Sequence, residues 1–225
     1  MDQSNIIKPE NMKLLELKID QIRNTYTEKT EQEDKIIEAL VAMLISHGKD
    51  KNQIHQIAQI SRVLGEALCL GNRYCNRLEY AARIYDIGNI IIDKEIYRKD
   101  EKLSFEEFEI VKHHTRAGYD ILITQNFVTA DLSAIISAEH HEWWDGGGYP
   151  RRRKKTEINI ASRIVAIADT IAALYNRRPG RAVWSYPMIL EYIKLRSGTQ
   201  FDPEIVKAFL NNRKRIEEVL STNKK

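Results

Sequence analysis

The chain has no uninterrupted apolar run near the ~20 residues that cross a bilayer, and its opening residues carry no signal-peptide pattern, so a cytoplasmic protein without a membrane partner is expected. Cysteine is scarce. Cys69 and Cys75 are the only two, too few for a disulfide framework, and Cys69, on an apolar helix face, reads as an inert core thiol. Ten glycines and five prolines in 225 residues, with few alternating runs, leave little sign of strands. The periodic segments are helical and the expected class is all-α. No charge of one sign dominates: 35 basic and 32 acidic residues leave +3, too mild a balance to expect nucleic acid. No repeat at a period of about 20–50 residues is visible. What is present, 43% hydrophobic and 30% charged residues, is an ordinary globular composition in a chain long enough to bury a substantial core.

Residues 1–34 read as an N-terminal helical extension or linker, and 35–222 as the main domain. In the extension, Met12, Leu15, Ile19 and Ile22 form a short apolar seam that packs on its own domain or joins two copies in a homodimer. Helices are predicted over 35–47, 52–70 with Gly71 as its stop, 75–87, and from Ser104, where Ser104 and Glu107 form a capping box. That last helix should end near Gly118, with a short one after it over 117–124. Further helices are predicted over 132–141, 161–175, 187–195 and 203–220.

Histidine carries the chemical signal. The six are His47, His55, His113, His114, His140 and His141, four of them in adjacent pairs. His140 and His141 end an apolar run and precede Gly146-Gly147-Gly148-Tyr149-Pro150, so they lie where a helix gives way to a tight loop, which holds side chains rigidly yet accessibly. Neutral imidazole is a common metal ligand. Two carboxylates accompany the histidines: Asp86, after the apolar stretch 80–84, and Asp169, alone in the middle of an apolar helix. A carboxylate so placed is paired, coordinating or costly. Histidines packed into a core without metal are the alternative, but several converging imidazoles would repel when protonated and leave donors unpaired when neutral. The basic run Arg151 to Lys155 reads as a solvated loop.

In order along the chain, Tyr85-Asp86-Ile87-Gly88, His113-His114-Thr115, His140-His141-Glu142-Trp143-Trp144-Asp145-Gly146-Gly147-Gly148-Tyr149-Pro150 and Arg163-Ile164-Val165-Ala166-Ile167-Ala168-Asp169 resemble the motifs of an HD-GYP domain. That subfamily of the HD superfamily of metal-dependent phosphohydrolases is typified by cyclic di-GMP phosphodiesterases. The resemblance covers roughly residues 36–212. It implies an HD-type helical bundle with additional C-terminal helices, and a cluster of iron or manganese ions that generates the attacking hydroxide. By position it implies His55, Asp86, His114, His140, His141 and Asp169 as metal ligands, Asp86 also being catalytic. It implies Tyr149, Arg178 and Arg181 as phosphate contacts, and a signalling-protein partner that meets the loop of Tyr149.

The departures from that pattern fall on residues that do chemistry. Tyr85 replaces the histidine of the His–Asp pair, Asn89 replaces a lysine three residues after the aspartate, Lys51 stands where a glutamate is expected, and Ala172 and Gly180 replace a second aspartate and a tyrosine. The expectation is therefore one firmly bound metal and one weak one, with cyclic di-GMP binding retained and phosphodiesterase activity reduced or lost. The alternative is an active enzyme giving pGpG or GMP; a lesser one is an HD phosphohydrolase acting on another nucleotide.

Overall fold

A short side chain that accepts a hydrogen bond opens several of the helices, since the first N–H groups of a helix have no partner within it. Asp50 accepts from the N–H groups of Asn52 and Gln53 at 2.6 and 3.2 Å and starts α2 (Lys51–Ala67). Ser104 and Glu107 form the expected reciprocal cap on α5 (Phe105–Ile123). Asn159 caps α7 (Ile160–Tyr175), and Asp202 with Pro203 behind it opens α9 (Pro203–Asn211).

This computed structural model describes residues 31–99, 101–176 and 182–222. The Met12–Ile22 seam, Arg178 and Arg181 lie outside them. The chain divides into two units, Met1–Ala39 and Leu40–Lys225. Of the first, residues 31–39 are described and are helical. The helix labelled α1 runs to residue 47 and stops at Gly48, whose φ of +129° only glycine adopts without strain. The remaining helices, all in the second unit, are α3 (Asn72–Ile84), a 3-10 turn (Ile87–Ile91), α4 (Lys94–Tyr97), α6 (Ala130–Glu139), a second 3-10 turn (Lys155–Glu157), α8 (Tyr186–Leu195) and α10 (Arg213–Thr222). Among the described residues there is no strand element, and one isolated bridge joins Ser197 to Phe201. The all-α expectation holds. No described helix is long and apolar enough to cross a membrane.

The core explains why α7 is so apolar. Ile164, Ile167 and Ile171 recur at helical spacing and are fully buried, against Ile57, Ile60 and Leu64 of α2 and Ile205 and Phe209 of α9 in one continuous cluster. On the other side, α5 lies along α6 and the first 3-10 turn.

Four expectations need correction. The stop of α2 is Leu68 followed by Cys69 at φ +56°, and Gly71 instead leads into α3. Cys69 is therefore exposed on a turn, and Cys75 is the buried thiol. Gly118 does not end α5. A Cβ there would meet Ser137 Oγ of α6 at 2.1 Å, so this glycine permits close helix packing in mid-helix. The segment 203–220 breaks in two at Asn212, whose N–H bonds the carbonyls of Ala208 and Phe209 at 3.1 Å each.

Candidate metal centre

Three histidines converge from two helices. His114 is delivered by the middle of α5, and His140 and His141 by the C-cap of α6 and the residue after it. Their ligand-capable atoms all lie within 4.8 Å of one another. His114 Nδ1 lies 2.6 Å from the Val111 carbonyl, and His140 Nδ1 lies 3.0 Å from those of Ile136 and Ser137. Carbonyls only accept, so Nδ1 donates in both rings, and in the neutral imidazole that leaves the lone pair on Nε2. Those two nitrogens face each other at 3.3 Å, two acceptors with nothing donated between them. Asp86 Oδ1 stands 3.6 Å from one and 3.8 Å from the other, and it is buried without a hydrogen-bond partner. Lone pairs pointing at one space suit a cation there. Separations of this size suit neighbouring ligands of a single ion with bonds of about 2.1 Å. The donor set, imidazole nitrogens with one carboxylate oxygen, therefore fits a divalent transition metal.

The electrostatics agree. Burial holds His140 down at about 4 and His141 well below the ordinary histidine value, so both rings are neutral and ready to ligate at pH 7. Burial alone would raise the Asp86 carboxyl, but Lys49, His114 and His140 outweigh it and hold the group well below the usual range.

Behind Asp86 the site is closed by groups of a different kind. Lys49 Nζ lies 2.6 Å from Asp86 Oδ2 and 3.9 Å from Asp169 Oδ1. The Tyr85 hydroxyl donates to the same Asp169 oxygen at 2.9 Å, and the edge of its ring meets His140 at 4.8 Å. Asn89 bonds the Asp86 carbonyl at 3.1 Å.

The loop after His141 is strapped down through its backbone. Glu142, buried, accepts from the N–H groups of Arg151 and Arg153 at 2.6 and 3.0 Å. Glu139 pairs with the Arg153 side chain and takes the Asn159 N–H at 2.8 Å. Trp144 and Asp145 donate to the carbonyls of Gln200 and Thr199 at 3.1 and 2.9 Å. Gly148 is required because a Cβ would sit 2.3 Å from the His141 carbonyl. The result is Tyr149 stacked on His141, centroids 4.7 Å apart, with burial pushing its phenol up so that it stays protonated. Beyond it a groove of about 490 Å³ is lined by Phe108, Lys112, Arg116, Trp143, Tyr149 and Arg152, among others.

Of the candidates named from sequence, the structure brings His114, His140, His141, Asp86 and Tyr149 together and places Asp169 behind Asp86. It leaves His55 exposed on α2, outside the histidine trio. Lys51 is exposed as well. The basic side chain in the centre is Lys49, which motif reading missed because it lies in the Gly48-Lys49-Asp50 turn, outside any periodic segment. Glu139 and Glu142 were missed too, though two carboxylates flanking a histidine pair at a helix end are a signal in themselves.

Residues 23–205 match the family model for the HD domain. A cyclic di-GMP phosphodiesterase from Thermotoga maritima is 34% identical across 97% of this chain and 67% of its own length. The cyclic di-GMP phosphodiesterase response regulator RpfG of Xanthomonas campestris is 30% identical across 74% of this chain and 44% of its own length. The chain thus spans about two thirds of the first relative and less than half of the second. The crystal structure of a cyclic GMP-AMP specific phosphodiesterase from Vibrio cholerae superposes with a TM-score of 0.61 at 18% identity, over 84% of this chain and 50% of that one, which shows a shared helical fold. With the histidine–aspartate centre in place, the chain belongs to the HD-domain family, in its HD-GYP branch.

Proposed function

We propose that this chain is a divergent HD-GYP domain. It holds a divalent metal, iron or manganese, through His114, His140, His141 and Asp86. It binds cyclic di-GMP with a phosphate toward that centre, and hydrolyses it slowly or not at all. The relatives from Thermotoga and Xanthomonas carry the name of this dinucleotide's phosphodiesterase, which supports the ligand class. When bound, such a metal polarises a phosphate oxygen and lowers the pKa of water toward neutrality. The chain's own residues do the rest. His140 and His141 supply neutral donors, Asp86 offers the oxygen that faces them, and Tyr149, held protonated beside His141, donates its O–H to a phosphate oxygen. Arg178 and Arg181 are assigned further phosphate contacts, for which a planar guanidinium is suited.

The observation that carries the loss of turnover is Tyr85. The residue is 2% exposed and its hydroxyl is committed as a donor to Asp169. A neutral phenol in that position is a poor ligand where the imidazole of a His–Asp pair would be a good one. The test is calorimetric titration of the Mn(II)-loaded protein with cyclic di-GMP, alongside chromatography of products. Binding with no pGpG or GMP is expected. Turnover above about 1 s⁻¹, the lower end of ordinary enzymes, would establish instead the second reading, an active phosphodiesterase, which the 34% identity to the Thermotoga enzyme favours. Absence of binding would overturn both.

A further inference from the structure

We propose that Lys49 is a built-in cation that takes the place of a second metal ion between Asp86 and Asp169, so that the centre accepts one ion per chain. This rests on the metal reading above and makes it specific.

Asp86 divides its two oxygens between two different neighbours. Oδ1 turns to His114 and His140 and has no hydrogen-bond partner. Oδ2 holds the Lys49 ammonium at 2.6 Å. An ion bridging the two aspartates would need Oδ2 of Asp86 and an oxygen of Asp169. The ammonium reaches Asp86 Oδ2 and lies 3.9 Å from Asp169 Oδ1, and the Tyr85 hydroxyl bonds that same Asp169 atom at 2.9 Å. The ammonium also lies over the Tyr85 ring, 5.7 Å from its centroid, so four side chains form one closed cluster.

The backbone keeps Lys49 there. Its N–H bonds the Leu44 carbonyl at 3.0 Å as α1 ends, Gly48 makes the turn, and the next residue, Asp50, caps α2. Lys49 is thus fixed between two helices, with its side chain only 8% exposed. A lysine is rarely this deeply buried without partners of opposite charge, and here two carboxylates of the candidate centre face it. A tethered ammonium cannot be chelated or diluted away, and a divalent ion entering beside it would meet like charge in a poorly solvated pocket.

The test is metal counting on the full chain with Mn(II) alone, by elemental analysis after desalting and by electron paramagnetic resonance. The unmodified protein should carry one Mn(II) per chain with the spectrum of an isolated ion. Lys49→Met should take up two and show exchange coupling between them. Lys49→Gln, which keeps a hydrogen bond to Asp86, should do the same and covers the case in which the methionine variant does not fold by circular dichroism. Two ions in the unmodified protein, or one in a folded Lys49 variant, would overturn the role of Lys49 and leave the metal reading intact. No ion in any of the proteins would overturn the metal reading, and this inference with it. If neither variant folds, the count on the unmodified protein decides: one supports the inference and two refutes it.

Discussion

His140 uses one ring nitrogen on the backbone of its own helix and turns the other toward His114. That division of labour fixes the tautomer before any ligand arrives, as it does in metal sites generally. The same local logic separates the two thiols. Cys75 is 1% exposed and burial pushes its thiol up, whereas Cys69 is exposed on the turn after α2. Since the thiolate is the reactive form, iodoacetamide at pH 8 should modify Cys69 and leave Cys75 intact in the folded protein, read by peptide mass spectrometry; equal labelling would contradict the burial described. At this scale sequence reading singled out residue types with a narrow purpose, His114, His140, His141 and Asp86, and the structure brings these four side chains together. It failed at Cys69, because apolar periodicity continued on paper past the point where the helix ends. It also failed at Lys49, because a lysine beside a glycine is normally a surface residue and only the fold reveals two carboxylates waiting for it.

At the scale of elements, the site depends on close approaches. A Cβ on Gly88 would lie 2.0 Å from the His114 carbonyl and 2.5 Å from the Gly118 nitrogen, which is backbone that cannot move aside cheaply. Gly88→Ala should therefore push α5 away from the first 3-10 turn, cost about 1–3 kcal/mol in urea unfolding as overpacked sites do, and weaken Mn(II) binding because His114 rides on α5. The strap on the loop of Tyr149 makes a second test. Glu142→Ala removes the acceptor of two backbone N–H groups. It should cost about 2–4 kcal/mol, counting charged hydrogen bonds at about 1.5–3 kcal/mol each with partial rescue by water. Loss of stability without loss of cyclic di-GMP affinity would mean that the strap does not position Tyr149. Most helices were legible from their caps and apolar spacing, since Ser104 with Glu107 and the isoleucines of α7 obey purely local rules. The unbroken α5 was not, because Gly118 is explained by Ser137 on another helix, and neither was the break at Asn212.

For the whole molecule, the histidine–aspartate centre joins α5, α6 and the turn after α3, so filling it should stabilise the native state by linkage. Mn(II) at about a hundred times its Kd adds roughly 2.7 kcal/mol and should raise the thermal unfolding midpoint, with the rise abolished in His114→Ala and reversed by a chelator. A midpoint indifferent to Mn(II) would argue that the three histidines do not share an ion. The helical class and the family were readable because several motifs stand in order, whereas the occupancy of the centre depends on Lys49.

The closed cluster of Lys49, Tyr85, Asp86 and Asp169 also restricts how this sequence can drift. Removing Asp86 strands a buried ammonium, and removing Lys49 leaves two carboxylates without their shared counter-charge. Breaking such a pair costs about 3–5 kcal/mol, a large part of the ~5–15 kcal/mol by which a domain is stable. A lineage descending from this chain exchanges these residues in company or keeps them all. Any route to an ion seated at Asp169 passes through the loss of Lys49, in cells with enough metal to replace its charge at once.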